Sequence, residues 1–94
     1  MIKSVSIFGA TGSVGQSTLN LIRQHPGQYD ILALTANGNA AQLAALAREF
    51  SAKIAVVADD SAYAELKQLL AGTSIEAASG PQALVAAAAL GADW

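Results

Sequence analysis

Apolar side chains recur along this chain with two periods, and the period changes at each glycine or proline. Val5, Ile7 and Phe8 form a short β-rich run bounded by Gly9. Val14, Thr18, Leu21 and Ile22 then share one face at helical spacing, which predicts a helix over residues 14–23. This helix is expected to stop at Gln24 or His25, because Pro26 restricts the residue before it and Gly27 supplies a left-handed exit. A second strand is predicted over residues 29–34. Asn37-Gly38-Asn39 makes a turn whose last residue can cap a helix over residues 40–50, where Leu43, Leu46, Ala47 and Phe50 return at threes and fours. Residues 53–58 read as a third strand, and Asp59-Asp60-Ser61 as turn and cap before a helix over 62–70 that Gly72 ends. A weaker strand at 73–77 and a last helix over 81–90, opened by Gly80-Pro81, complete the order.

Strands alternating with helices imply βαβ units joined by right-handed crossovers. The fold class is therefore α/β: a Rossmann-like, doubly wound parallel sheet with helices on both faces. No repeat or linker divides the 94 residues, so residues 1–94 read as part of one domain, below the usual size of a complete dinucleotide-binding enzyme. Gly91-Ala92-Asp93-Trp94 looks like a loop leading into another strand, and in a doubly wound sheet a later strand returns beside the first. The expectation is a sheet truncated at the C-terminus, with one edge of the Val5 to Phe8 strand unpaired and open to association. Trp94 is expected to pack on the sheet once that continuation is present.

Composition narrows the chemistry. A hydrophobic fraction of 53% with 13% charged residues excludes a disordered tail. Net charge −2 and a pI near 5.0 provide no basic stripe, so no nucleic-acid partner is expected. Without cysteine there are no disulfides, thiolate metal sites or cysteine nucleophiles, which fits a reducing compartment. The longest apolar run, Ala83 to Leu90, is far short of the roughly 20 residues that span a bilayer, so no membrane partner is expected either.

The candidate chemistry lies in Gly9-Ala10-Thr11-Gly12-Ser13-Val14-Gly15, three glycines between a predicted strand and a predicted helix. The first permits a tight turn off the strand, the second lets a pyrophosphate approach the backbone, and the third lets the helix lie close to the sheet. Amides at the helix start favour a phosphate, and Thr11 and Ser13 add hydroxyl donors. The triphosphate-binding loop is excluded because no lysine follows the glycines, and the nucleophile elbow because Thr11 stands where its first glycine belongs. NAD sites place a carboxylate about 20 residues beyond the glycines. Here Thr35-Ala36-Asn37-Gly38-Asn39 has none to repel a 2′-phosphate, so NADP is favoured, although a plain turn and helix cap is the competing reading of these residues.

Other side chains read as structural. Asp59 and Asp60 follow a strand and precede a helix, where capping accounts for them, and His25 suits a helix C-terminus. Arg23, Arg48, Lys53 and Lys67 read as solvated charges, and no cluster has metal-ligand spacing.

The segment Gly9 to Leu19 and the run Ala33-Leu34-Thr35-Ala36-Asn37-Gly38-Asn39 resemble the N-terminus of the 1-deoxy-D-xylulose 5-phosphate reductoisomerases, as do Ala55-Val56-Val57-Ala58-Asp59 and residues 80–94. The resemblance covers nearly the whole chain. It implies an NADPH-dependent oxidoreductase of isoprenoid biosynthesis that isomerises and reduces 1-deoxy-D-xylulose 5-phosphate to 2-C-methyl-D-erythritol 4-phosphate with a divalent metal, manganese or magnesium. By position it assigns Thr11, Gly12, Ser13 and Val14 to the pyrophosphate and Asn37, Gly38 and Asn39 to the adenosine side; family members often carry Gly-Lys-Asn or Asn-Arg-Asn in that turn. Metal ligands, catalytic residues and the phosphorylated-sugar site are implied to lie beyond residue 94, so that this part alone is inactive, and the full-length protein is implied to be a cytoplasmic homodimer. Extended short-chain and semialdehyde dehydrogenases share the loop but not the Gln16-Ser17-Thr18-Leu19 continuation, and a non-catalytic dinucleotide sensor is a further alternative.

Overall fold

The computed structural model describes residues 2–89. Its elements follow one another as β1 (Lys3–Ile7), α1 (Ser13–Arg23), β2 (Tyr29–Ala36), α2 (Ala40–Phe50), β3 (Ile54–Val57), a 3-10 turn (Asp60–Ala62), α3 (Tyr63–Leu69), β4 (Glu76–Ser79) and α4 (Pro81–Ala88). The four strands are all parallel and lie in the order β1-β2-β3-β4, so among the described residues β1 forms one edge of the sheet and β4 the other. The proposed end of the last helix at Leu90, and Trp94, lie outside the described residues.

A chain that always crosses right-handed keeps its helices on one face while the strand order advances in one direction. Accordingly Leu19 and Ile22 of α1, Leu43 and Leu46 of α2 and Leu66 of α3 join Val5, Ile7, Leu34 and Val57 in one core. Each fully buried leucine there contributes about 1.5–3 kcal/mol relative to exposure. Helix α4 lies on the opposite face, where Ala87, with Ala83 and Leu84, packs on Ala33 and Val56. The sheet is thus covered on both sides, as the alternation of elements predicts. No helix among the described residues is long and apolar enough to cross a membrane.

Strand β2 carries a bulge: Val5 pairs with Ile31 but the next residue, Ser6, pairs with Ala33. Leu32 is the extra residue, and its insertion returns Ile31 to the same face as Leu34 and Ala36. A regular strand would turn Ile31 away from that core.

Four sequence expectations are corrected. The packed face of α1 is Gly15, Leu19 and Ile22, while Val14 is 81% exposed and Leu21 49%. Strand β2 runs on through Thr35 and Ala36 instead of ending at Leu34. The fourth strand begins at Glu76, because Thr73 N–H donates to Leu70 O and Thr73 Oγ1 accepts from Ile75 N–H, holding residues 73–75 in a turn. Arg23 and Arg48 are not merely solvated. Arg23 spans from α1 to α2 by two hydrogen bonds to Glu49 and lies over the Phe50 ring, and Arg48 reaches the Leu69 carbonyl of α3.

Candidate dinucleotide site

At the C-terminal end of β1 the chain enters a loop whose geometry is set by three glycines in three different ways. Gly9 has φ +72°, a backbone conformation that L side chains rarely adopt, and Gly12 N–H donates to Gly9 O at 3.0 Å to close the turn. Gly12 itself is extended at φ −81°, and a Cβ there would make only ordinary contact, 3.4 Å from Gly9 O. Gly15 is helical, and a Cβ on it would stand 2.4 Å from Gly9 O and 2.8 Å from Ala10 Cα. Its hydrogen is what lets α1 rest on the loop.

Strand β2 anchors this loop from the side. Thr35, 4% exposed, accepts from Gly9 N–H through Oγ1 at 3.0 Å, and its carbonyl accepts from Ala10 N–H at 2.7 Å. Ala10 is thereby locked into the core with no exposed surface. A threonine in an apolar strand is the sequence signal for this latch, though its partner is 26 residues away and spacing does not reveal it.

Helix α1 starts at Ser13 with Gly12 as its N-cap, so no side chain accepts from its first-turn amides, and no acid stands in that turn. Gln16 N–H to Gly12 O, at 2.9 Å, is the first helical bond. The amides of Ser13, Val14 and Gly15, at the positive end of the helix dipole, are therefore left without a side-chain acceptor. Helix α2 differs. Asn39 accepts from Gln42 N–H at 3.1 Å and donates to Gln42 Oε1, closing a reciprocal cap.

A cavity of about 410 Å³ opens over the C-terminal ends of β1 to β3. Its walls are Phe8, Gly9, Thr11 and Gly12 from the loop, Thr35, Ala36 and Asn37 from the end of β2, Ala58 after β3 and Leu84 of α4. Of the residues singled out in the sequence, Thr11, Gly12 and Asn37 line this cavity. Ser13 and Val14 stand at the adjoining helix start, and the exposed Gly38 and Asn39 continue the turn beyond Asn37. Asn39's carboxamide is committed to capping. Residue spacing does not mark Phe8 and Leu84 as the apolar walls of this cavity. Leu84 reaches the cavity only because α4 crosses to the opposite face, which is a property of the topology. Another cavity of about 370 Å³, lined by Arg48, Ser51, Thr73 and Ser74, lies at the far end of the sheet, away from the glycine loop.

The adenosine-side turn is pinned to β3. Ala58 N–H donates to Ala36 O at 2.9 Å and Asp59 N–H to Asn37 O at 2.8 Å, so the ladder between β2 and β3 continues past both strands. Asp59 Oδ1 accepts from Ser61 Oγ at 2.7 Å and from Ser61 N–H at 2.9 Å, and these bonds hold its carboxyl below the usual carboxylate range. Asp60 accepts from Ser79 Oγ. Asp59 thus caps the 3-10 turn as its position predicts, whereas Asp60 caps nothing and is bonded across to the end of β4. Among the described residues no three His, Cys, Asp or Glu side chains gather where a metal ion could be held.

The cavity, the uncapped helix start and the side-chain-free loop suit a dinucleotide: a concave wall for the base and ribose, and amides for the pyrophosphate, at the C-terminal ends of parallel strands where such ligands bind. Comparison with known proteins bears on this directly. A family model for 1-deoxy-D-xylulose 5-phosphate reductoisomerase matches residues 5–94. The chain is 53% identical over 93 residues to the reductoisomerase of Bradyrhizobium diazoefficiens, covering 99% of this chain and 23% of that protein. It is 53% identical over 92 residues to that of Zymomonas mobilis, covering 98% and 24%. Among solved structures, the Zymomonas mobilis reductoisomerase in complex with NADPH superposes with a TM-score of 0.97 at 52% identity, over 100% of this chain and 25% of that one. A reductoisomerase in complex with NADPH, fosmidomycin and magnesium superposes with a TM-score of 0.89 at 41% identity, over 98% and 23%. The chain spans about a quarter of the length of these relatives.

Proposed function

The chain belongs to the 1-deoxy-D-xylulose 5-phosphate reductoisomerase family, and from that membership we propose that it is the N-terminal, NADPH-holding part of an enzyme that isomerises and reduces 1-deoxy-D-xylulose 5-phosphate to 2-C-methyl-D-erythritol 4-phosphate. One observation carries the local assignment: the first turn of α1, uncapped by any side chain, stands over a loop that Gly15 alone allows to lie so close.

In this reading the amides of Ser13 and Val14 and the hydroxyls of Thr11 and Ser13 take the pyrophosphate. Gly12 leaves the approach to the backbone clear, and Asn37, Gly38 and Asn39 border the adenosine ribose. Phe8 and Leu84 give the cavity an apolar wall that excludes water from the bound cofactor. NADPH supplies the hydride for the reductive step. The described residues offer a fit for the dinucleotide, and on family grounds we assign the magnesium or manganese ligands, the catalytic groups and the sugar-phosphate site to the part of the relatives' length that this chain does not span. The work of this part is binding and orientation. On the same family grounds we assign the whole protein to the cytoplasm and to a homodimer.

The test uses the full-length polypeptide. NADPH binding is followed by nicotinamide fluorescence, and turnover of 1-deoxy-D-xylulose 5-phosphate by NADPH oxidation with magnesium or manganese. Binding together with metal-dependent turnover is expected. Binding without turnover would leave only a dinucleotide module, and no binding would remove the site assignment itself.

A further inference from the structure

The basic side chains of this chain all lie at one end of its sheet, an end they share with the acids Asp30, Glu49 and Glu76. Lys3 opens β1 and Lys53 immediately precedes β3, while Arg23, Arg48 and Lys67 lie in the last turns of α1, α2 and α3. In a parallel sheet with returning helices, each of these positions is at the end remote from the strand C-termini. They account for every lysine and arginine of the chain. The cofactor end instead carries Asp59 and Asp60 directly after β3, and Glu65 in the first turn of α3.

Asp59 stands against the adenosine-side turn. Its Oδ2 lies 3.6 Å, and its own Cβ 3.7 Å, from where a Cβ on Gly38 would be. Its other carboxylate oxygen is held by Ser61, which fixes the orientation, and its amide is bonded to Asn37. Dinucleotide sites that select a free ribose present a carboxylate acceptor beside the 2′ position, and sites that select a 2′-phosphate present a cation there. This turn has no cation, and the acid it lacks in its own sequence comes to it from the end of β3.

Resting on the dinucleotide reading of this site, we propose that Asp59 is a specificity-determining residue. Its carboxylate, facing the side-chain-free Gly38, opposes a 2′-phosphate and can accept from a free 2′-hydroxyl, so the protein favours NADPH over NADH by only a small factor. Binding of either cofactor rests on the pyrophosphate and the helix start, which the two share.

The experiment measures dissociation constants of NADPH and NADH, by nicotinamide fluorescence at low ionic strength, for the full-length protein and for Asp59→Asn and Gly38→Arg. Asparagine is as good a cap as aspartate, so Asp59→Asn keeps the turn to Ser61, and thermal melting verifies it. Gly38 does not have a positive φ and a Cβ there meets only ordinary contacts, so Gly38→Arg is accommodated. The parent is expected to separate the two cofactors by no more than about tenfold. Asp59→Asn is expected to tighten NADPH by about three- to tenfold without tightening NADH, an advantage that shrinks at roughly 0.5 M salt. Gly38→Arg is expected to shift the ratio in the same direction. A parent ratio above about a hundredfold would overturn the proposal, as would an Asp59→Asn variant that moves both cofactors equally or neither. Those results leave the dinucleotide reading intact, whereas failure of the parent to bind either cofactor removes both.

Discussion

Replacing Gly15 by alanine sets two effects of known sign against each other. Inside a helix, alanine is favoured over glycine by about 1 kcal/mol. At Gly15 the added carbon would stand 2.4 Å from Gly9 O and 2.8 Å from Ala10 Cα. Non-bonded carbon contacts settle near 3.5–4.0 Å, so helix and loop have to part by about 1 Å. Both obstructing atoms are backbone, Ala10 is wholly buried, and Thr35 holds Gly9 and Ala10 from the far side, so no flexible side-chain end can give way. Overpacking of this kind costs about 1–3 kcal/mol, at the upper end where backbone must move. The steric term wins, leaving Gly15→Ala less stable by about 1–2 kcal/mol with the first turn of α1 displaced from the loop. Denaturant unfolding of the full-length protein measures the first effect. Titration with NADPH measures the second, where at least a tenfold loss, about 1.4 kcal/mol, is expected. A variant at least as stable as the parent that binds NADPH unchanged would refute the reasoning, because helix propensity would then have outweighed the contact.

The other two glycines separate shape from access. Gly9→Ala meets no atom within 4 Å but forces a side chain onto φ +72°, a strain of about 1–2 kcal/mol visible in the unfolding midpoint. Gly12→Ala, at the N-cap of α1, is expected to cost no more than about 1 kcal/mol of stability and yet to lose NADPH affinity well beyond that, since its methyl enters the pyrophosphate's path. Thr35→Val leaves Gly9 N–H without its acceptor and should lower stability by about 1–2 kcal/mol, while Thr35→Ser, keeping the hydroxyl, recovers most of it; equal losses in the two would refute the latch. The Arg23 bonds hold the Glu49 carboxyl below its ordinary value of 4.5, so the pair's contribution is fully present above that value and is lost as pH falls through the lowered one. Both partners are more than a third exposed, so Glu49→Gln should cost under about 1 kcal/mol at pH 7; the deficit should vanish near pH 2 and shrink in 1 M salt, and persistence under both conditions would show that charge is not its cause.

Much of this architecture was legible from residue order, and where it was not the reasons are physical. Helix α2 matches its predicted bounds and cap because Asn39 supplies an acceptor just where the leucine periodicity begins. Periodicity finds Ile22 but misses the rest of the packed face of α1, because it counts side-chain size and the position of closest approach, Gly15, has none. Val14 drew attention by bulk but lies outside. The true extent of β2 was hidden because Thr35-Ala36 looks like the start of a turn, while its hydrogen bonds run to the glycine loop of another strand. Propensity alone puts strand β4 too early, since Thr73 and Ile75 favour a strand more than Glu76-Ala77-Ala78-Ser79, and pairing with β3 overrides propensity. In the site, the loop that approaches the phosphates was readable because glycine spacing is local. The carboxylate of Asp59 beside Gly38 was not, since two strands' ends meet there and no sequence interval encodes the meeting.

Strand order and chain order coincide in this sheet, and that has a consequence for how the molecule is made. Among the described residues each strand after the first pairs with the one synthesised just before it, so every contact between these four strands closes a single crossover. The loop at Gly9 is different. It is translated early, but the hydroxyl that fixes it arrives with Thr35, so the loop takes its final shape only when β2 has docked, and ligand binding to a nascent chain should not begin before that length.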